Sequence, residues 1–190
     1  MTGEHVSMAH GAGGSAMDAL VKRYILKPLG GRAAEVPLEA LDDAAVIDGI
    51  VLKSDSYTVK PLFFPGGDIG RLAVAGTVND ISVLGAEPVA LAAGFVFEEG
   101  FPLSDLERIL SSMNKTCKDA GVAVITGDTK VVDRGKADQM FISTSGIGIV
   151  QLGASPSVSQ ARPGDAIRVL TYWRVSRVEA APYVMFAHLL

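Results

Sequence analysis

Residues 44–52 read AAVIDGIVL, two apolar, β-branched runs with only Asp48-Gly49 between them. Two residues are too few to cross a sheet to a parallel partner, a connection that takes on the order of a dozen. The runs must therefore fold back on each other. Asp-Gly suits the turn, because both of its positions take positive φ. An antiparallel hairpin this early excludes a purely parallel, doubly wound sheet.

The remaining elements mix hairpins with crossovers. SAMDALVKRYILKPLG predicts a helix with Ser15 as its cap and Met17, Leu20, Val21 and Tyr24 on one stripe, stopped by Gly30-Gly31. SYTVKPLFF predicts a strand closed by Pro65-Gly66-Gly67, and Asp68 caps the small-residue helix that follows. PVALAAGFVF, VAVIT and MFISTSGIGIV predict three more strands. SDLERILSSMNKTCKDAG has the strongest helical signature. Ser104 and Glu107 are spaced as a capping box, Leu106, Ile109, Leu110, Met113 and Cys117 share a stripe, and Gly121 ends it. The expectation is an α/β (α+β) fold, a mixed sheet with helices. A Ser/Pro/Gly-containing segment near LGASPSVSQARPGD divides the chain into a domain over 1–153 and, over 154–190, a linker and the start of another.

Four acidic sites sit at the mouths of apolar elements: Asp42-Asp43, Asp55, Asp80 and Asp128. Read singly, each is a turn residue or a helix cap, and Asp48 and Asp68 are only that. Read together, converging carboxylates would repel one another and raise some pKa values. A divalent cation removes that repulsion, and oxygen-only ligands suit Mg²⁺ with substrate phosphates. Phosphates also want backbone N–H donors, which the glycines of HGAGG and TGDT could bring close. Both readings stand on residue types alone. No Walker-type glycine loop and no G-x-G-x-x-G opening a helix occurs, so neither a P-loop nor a Rossmann cofactor site has support.

Bulk properties narrow the classes further. A net charge of −4, with no basic stripe, argues against nucleic-acid binding. The first ten residues lack a signal-peptide pattern, and no apolar run approaches the roughly 20 residues of a membrane span. One cysteine in 190 residues allows no intrachain disulfide and fits a reducing, cytoplasmic setting. Cys117 itself falls on the helical stripe and is expected to face the core, inert.

The segments AHGAGG, LDDAAV, SDSYTVKPLFFPGGDIGRLAVAGTVNDISVLGAEPVAL, FEEGFPLSDLERI and AGVAVITGDTKVVDRG occur in this order. Together they resemble the HypE family of hydrogenase maturation factors, from about residue 10 to about residue 164. That family belongs to the ATP-dependent superfamily of aminoimidazole ribonucleotide synthetase, thiamine monophosphate kinase and selenophosphate synthetase. The resemblance implies the N-terminal domain of that fold, paired in a homodimer whose two sheets close into a β-barrel. It implies ATP and Mg²⁺ as cofactors, with Asp43, Asp55, Asp80 and Asp128 as metal-phosphate ligands, and Asp80, Asp128 and Lys130 at the reacting phosphate. Ser54 would stand beside them and Asn79 would support them. Gly127 and Thr129 would shape a nucleotide loop, and Gly11, Gly13 and Gly14 would fold over the phosphates. The implied reaction, in [NiFe]-hydrogenase maturation, dehydrates a carboxamide on a C-terminal cysteine to a thiocyanate, the source of the iron cyanide ligands. Its implied partners are the carbamoyltransferase HypF and the HypC-HypD scaffold complex. Another superfamily activity, such as a small-molecule kinase, and a non-catalytic nucleotide-binding dimerisation module are the alternatives.

After RPGDAIRVL the chain departs from the family pattern and reads TYWRVSRVEAAPYVMFAHLL. The second domain and the terminal acceptor cysteine of the family are missing from it. The expectation is a truncated or divergent tail, with dehydration absent from this chain alone.

Overall fold

The computed structural model describes residues 5–31, 33–154 and 157. The reading of 154–190 as a linker and second domain therefore lies, but for two residues, outside the described residues. Strands β1 (Ala45–Ile47) and β2 (Ile50–Tyr57) form the expected hairpin, with Asp48 at φ 52° and Gly49 at φ 72°. Glu35 secures this turn from outside it. Its carboxylate accepts the Asp48 N–H at 3.0 Å and the Gly49 N–H at 3.1 Å.

Beyond Tyr57 the expected strand breaks. Pro61 has no N–H for a ladder, and the chain resumes only as the short hairpin β3 (Phe63–Phe64) and β4 (Gly67–Asp68). The main sheet is completed by β5 (Ala86–Glu98), β6 (Val124–Val132) and β7 (Met140–Val150), in the order β1-β2-β7-β5-β6. Among the described strands only β5 and β6 run parallel, joined by a helical crossover; the other pairs are antiparallel. The sheet is mixed, as expected, and open.

Two helices cover one face. Asp68 caps α4 (Ile69–Val83), its side chain accepting the Arg71 N–H at 2.9 Å. Ile69, Ala73, Val74, Thr77 and Ile81 of this helix are fully buried. Glycines let α4 approach both its neighbours closely: a Cβ on Gly70 would come within 2.6 Å of the Ile109 carbonyl on the second helix, and one on Gly146 of β7 within 2.6 Å of Ile81 Cδ1. Helix α5 (Leu103–Ala120) ends at Gly121, φ 70°, as its sequence predicts. It begins two residues earlier than the capping box requires. Pro102 is the cap, Ser104 lies inside the first turn, and no side chain caps the helix. Its stripe is also narrower than expected: Ile109, Met113 and Cys117 are buried, while Leu110 is exposed.

The N-terminal segment comprises α1 (Met8–Gly11), α2 (Gly14–Leu20), a π-helical turn over Val21–Leu26 and α3 (Lys27–Leu29). Gly13, not Ser15, is the cap of α2. None of these elements buries a residue, and Tyr24 and Leu29 are exposed. Among the described residues no helix is long and apolar enough to cross a membrane.

Candidate functional site

Alternation along β2 sends Val51, Lys53, Asp55 and Tyr57 toward α4, and Ile50, Leu52, Ser54 and Ser56 to the uncovered side. Three polar residues on a face packed against a helix need partners, and they have them. Lys53 Nζ lies 2.5 Å from Asp80 Oδ2 on α4, with side chains only 15% and 27% exposed. The Tyr57 hydroxyl donates to Asp55 Oδ2 at 3.0 Å and lies 3.3 Å from Thr77 Oγ1. Thr77 and Thr144 hydroxyls meet at 2.5 Å, and Thr144 donates onward to the Ala73 carbonyl at 3.1 Å. A Cβ on Gly76 would strike the Tyr57 hydroxyl, so the small residue on α4 makes room for this network.

Charge in this cluster is tightly set. Burial pushes the Asp80 carboxyl above the usual carboxylate range; the Lys53 ammonium opposes that shift, and the Asp43 and Asp55 charges add to it. Burial likewise pushes the Tyr57 phenol up, so it stays protonated and donates. Asp43, exposed ahead of β1, belongs to this cluster through its field on Asp80. Its neighbour Asp42 accepts a hydrogen bond from Ser157 at 2.6 Å, a supporting contact.

Asp128 does not join them. Asp55, Thr144, Ala93 and Gly127 lie in one row across the sheet, and Ser56, Ser143, Gly94 and Asp128 in the next. Adjacent rows face opposite sides, so Asp128 points away from α4, and three strand spacings put it about 14 Å from Asp55. Lys130, two residues on, shares its side and pairs with it at 2.7 Å. That ammonium, with the Thr129 backbone, holds the Asp128 carboxyl below the usual range. Ser54 is on the same uncovered side, accepting from the Ser145 hydroxyl at 2.9 Å, as Ser56 and Ser143 meet at 2.9 Å. Within one chain the four acids therefore fall into two sets, divided by the sheet. Among the described residues no three His, Cys, Asp or Glu side chains are placed to hold one metal ion.

Other expected residues are placed differently too. Gly127 and Thr129 lie within the edge strand β6, not in a loop, because the TGDT segment completes the parallel ladder with β5. Gly127 is required there for space, since a Cβ would run into the Ala93 carbonyl. Gly13 and Gly14 take positive φ, at 79° and 69°, and with Gly11 they are exposed with open space around them. The hydrogen bonding around this loop is local, the Ser7 N–H donating to His10 Nδ1 at 3.0 Å. Asn79 is exposed on α4 beside Asp80. Cys117 is buried, and burial pushes its thiol up. Lys53, Tyr57, Thr77 and Thr144 are the residues that motif reasoning missed. Their signal was there: KSDSY puts polar side chains at every second position behind the apolar Val51.

This mixed sheet with two helices on one face is built from a sequence that matches the N-terminal domain of AIR synthase related proteins. That family's domain matches residues 41–150, and the chain belongs to the family. Within it, the chain is 49% identical over 166 residues to carbamoyl dehydratase HypE of Azotobacter vinelandii, across 85% of this chain and 48% of that relative. A solved HypE-HypF complex has a chain 50% identical to it, with a TM-score of 0.71, covering 77% of this chain and 47% of that one. HypE solved in complex with ATP is 47% identical, with a TM-score of 0.60, over 84% of this chain and 48% of that one. The chain spans about half the length of the curated relatives it matches.

Proposed function

We propose that this chain is the ATP-binding portion of a HypE-type carbamoyl dehydratase serving [NiFe]-hydrogenase maturation. The reading is supported chiefly by one coincidence. The half-buried carboxylates of the β2–α4 cluster fall inside the stretch that matches the family, in a chain 47% identical to a HypE that binds ATP.

In the proposed reaction the oxygen of an S-carbamoyl cysteine attacks the γ-phosphorus of ATP and ADP leaves. The amide nitrogen then loses its protons as the C–O bond breaks, giving a thiocyanate and inorganic phosphate. Phosphorylation turns a poor leaving oxygen into a good one. Asp43, Asp55 and Asp80 supply oxygen donors of the kind a hard cation accepts, but they are not gathered round one point, and Lys53 already occupies Asp80. These residues do not fit a resident metal. Mg²⁺ would instead enter on the phosphates of ATP, as part of the substrate. Asn79 would orient Asp80, and Gly11, Gly13 and Gly14 would close over the phosphates.

Asp128, Lys130, Ser54, Gly127 and Thr129 would act from the uncovered side, where a second copy of the chain would complete a β-barrel. Ile50, Leu52, Ile147 and Ile149 are exposed on that side, and such a surface favours a homodimer. HypF and the HypC-HypD scaffold would be its partners in the cytoplasm.

Binding of a fluorescent ATP analogue, displaced by ATP, tests the nucleotide assignment; no binding at millimolar analogue would overturn it. The chain's one thiol is buried, so HypF, carbamoyl phosphate and ATP should leave no thiocyanate on Cys117 by mass spectrometry. An adduct there would contradict the reading of this cysteine as a core residue.

A further inference from the structure

Lys53 has no role in any reading above beyond its contact with Asp80, yet its position is demanding. It reaches from β2 across to α4, and the ion pair it makes is more enclosed than those of Lys22, Lys60, Arg108, Lys115 and Lys130. The other lysine pairs are exposed surface contacts, which are worth little. Around Asp80 the facing groups are Lys53, the carboxylates of Asp43 and Asp55, and the Tyr57 hydroxyl, which donates to Asp55 and not to Asp80. Without Lys53, Asp80 would be a half-buried carboxylate near two others with no opposite charge. Leaving one such charge unpaired costs far more than removing both partners.

We infer that Lys53 is the resident counter-cation of the β2–α4 acidic cluster, holding Asp80 in the place where a divalent cation would otherwise be needed. The chain then folds with this cluster complete in the absence of metal, and it takes up metal only as the companion of a nucleotide. Lys53 competes with free divalent ions for Asp80, and nucleotide binding must either draw the ammonium onto a phosphate oxygen or leave it on Asp80. The inference rests on reading this cluster as the nucleotide site, but its test does not use nucleotide.

Mn²⁺ alone is the probe. Loss of the free-ion electron paramagnetic resonance signal reports its binding to the whole chain, compared with Lys53→Met and with Lys53→Met/Asp80→Asn. The parent should bind Mn²⁺ weakly. Lys53→Met should bind it about ten-fold tighter or more, since a like charge has been removed from the cluster. The double variant should lose that gain. In metal-free buffer Lys53→Met should melt several degrees below the parent, and adding Asp80→Asn should restore most of the difference. Equal Mn²⁺ affinity in parent and Lys53→Met, or no binding by either, would overturn the inference. So would a melting loss in Lys53→Met that Asp80→Asn leaves uncorrected. If Lys53→Met fails to fold, Lys53→Gln carries the same comparison with a polar side chain. A chain that passes these tests but ignores ATP would retain its counter-cation and lose the nucleotide assignment.

Discussion

The two faces of the five-stranded sheet obey different rules, although the same strands build both. Under α4 and α5 the residues are Val51, Tyr57, Leu91, Ala93, Ile142 and Thr144, all buried and interlocked. Polar groups survive there only because each has a partner, from Asp80 with Lys53 to Thr77 with Thr144. On the uncovered face, serines pair across strands at 2.9 Å among exposed isoleucines, and Asp128 pairs with Lys130 in solvent. The covered face is specified by packing within the chain. The other has no covering element among the described residues.

Core truncation should separate the faces most sharply. Ile142→Ala removes a fully buried side chain and should cost about 2–5 kcal/mol, whereas Ile149→Ala, nearly half exposed, should stay within about 0.5 kcal/mol in the monomer. Urea midpoints measure both. A large loss from Ile149→Ala that grows with protein concentration would show that the uncovered face is covered by another copy.

A finer test exchanges hydroxyls. Thr144→Val keeps the shape but leaves Thr77 short of a partner and frees the Ala73 carbonyl, and should cost about 1–3 kcal/mol. Ser143→Ala, one residue away on the other face, should cost less than about 0.5 kcal/mol. Equal costs would mean that the two faces do not differ in the way described.

The smallest effect concerns pH, and its sign differs between the faces. Burial raises the Asp80 pKa above its unfolded value. Such a group favours the folded state below its unfolded pKa, and that contribution is lost as pH rises through the folded pKa. Lys130 lowers the Asp128 pKa. Its contribution is present above the unfolded pKa and is lost as pH falls through the folded one. Carboxyl carbon shifts should therefore titrate above the usual range for Asp80 and below it for Asp128. The reverse order would refute the placement of both side chains.

Much of the covered face could be read from the chain. Asp48-Gly49 forced the hairpin, Asp68 announced α4, and Gly121 closed α5, because each of these signals is local. The division of the acids between faces was legible only in part. Asp55 and Asp128 both follow β-branched runs, but the side each takes depends on the registers of three successive strand pairs, a long-range property. The capping box at Ser104 failed for a different reason. Pro102 fixes the backbone two residues earlier, and a helix can start there without a side-chain cap. The N-terminal stripe through Tyr24 predicted a buried face, and no described element offers one.

The central claim is that the covered-face acids form the nucleotide site, and calorimetric titration with ATP in Mg²⁺ tests it most directly. The parent should bind, and Asp80→Asn should weaken binding about ten-fold or more while leaving the fold intact by circular dichroism. Binding by Asp80→Asn as tight as by the parent would contradict the account and move the nucleotide away from the β2–α4 cluster.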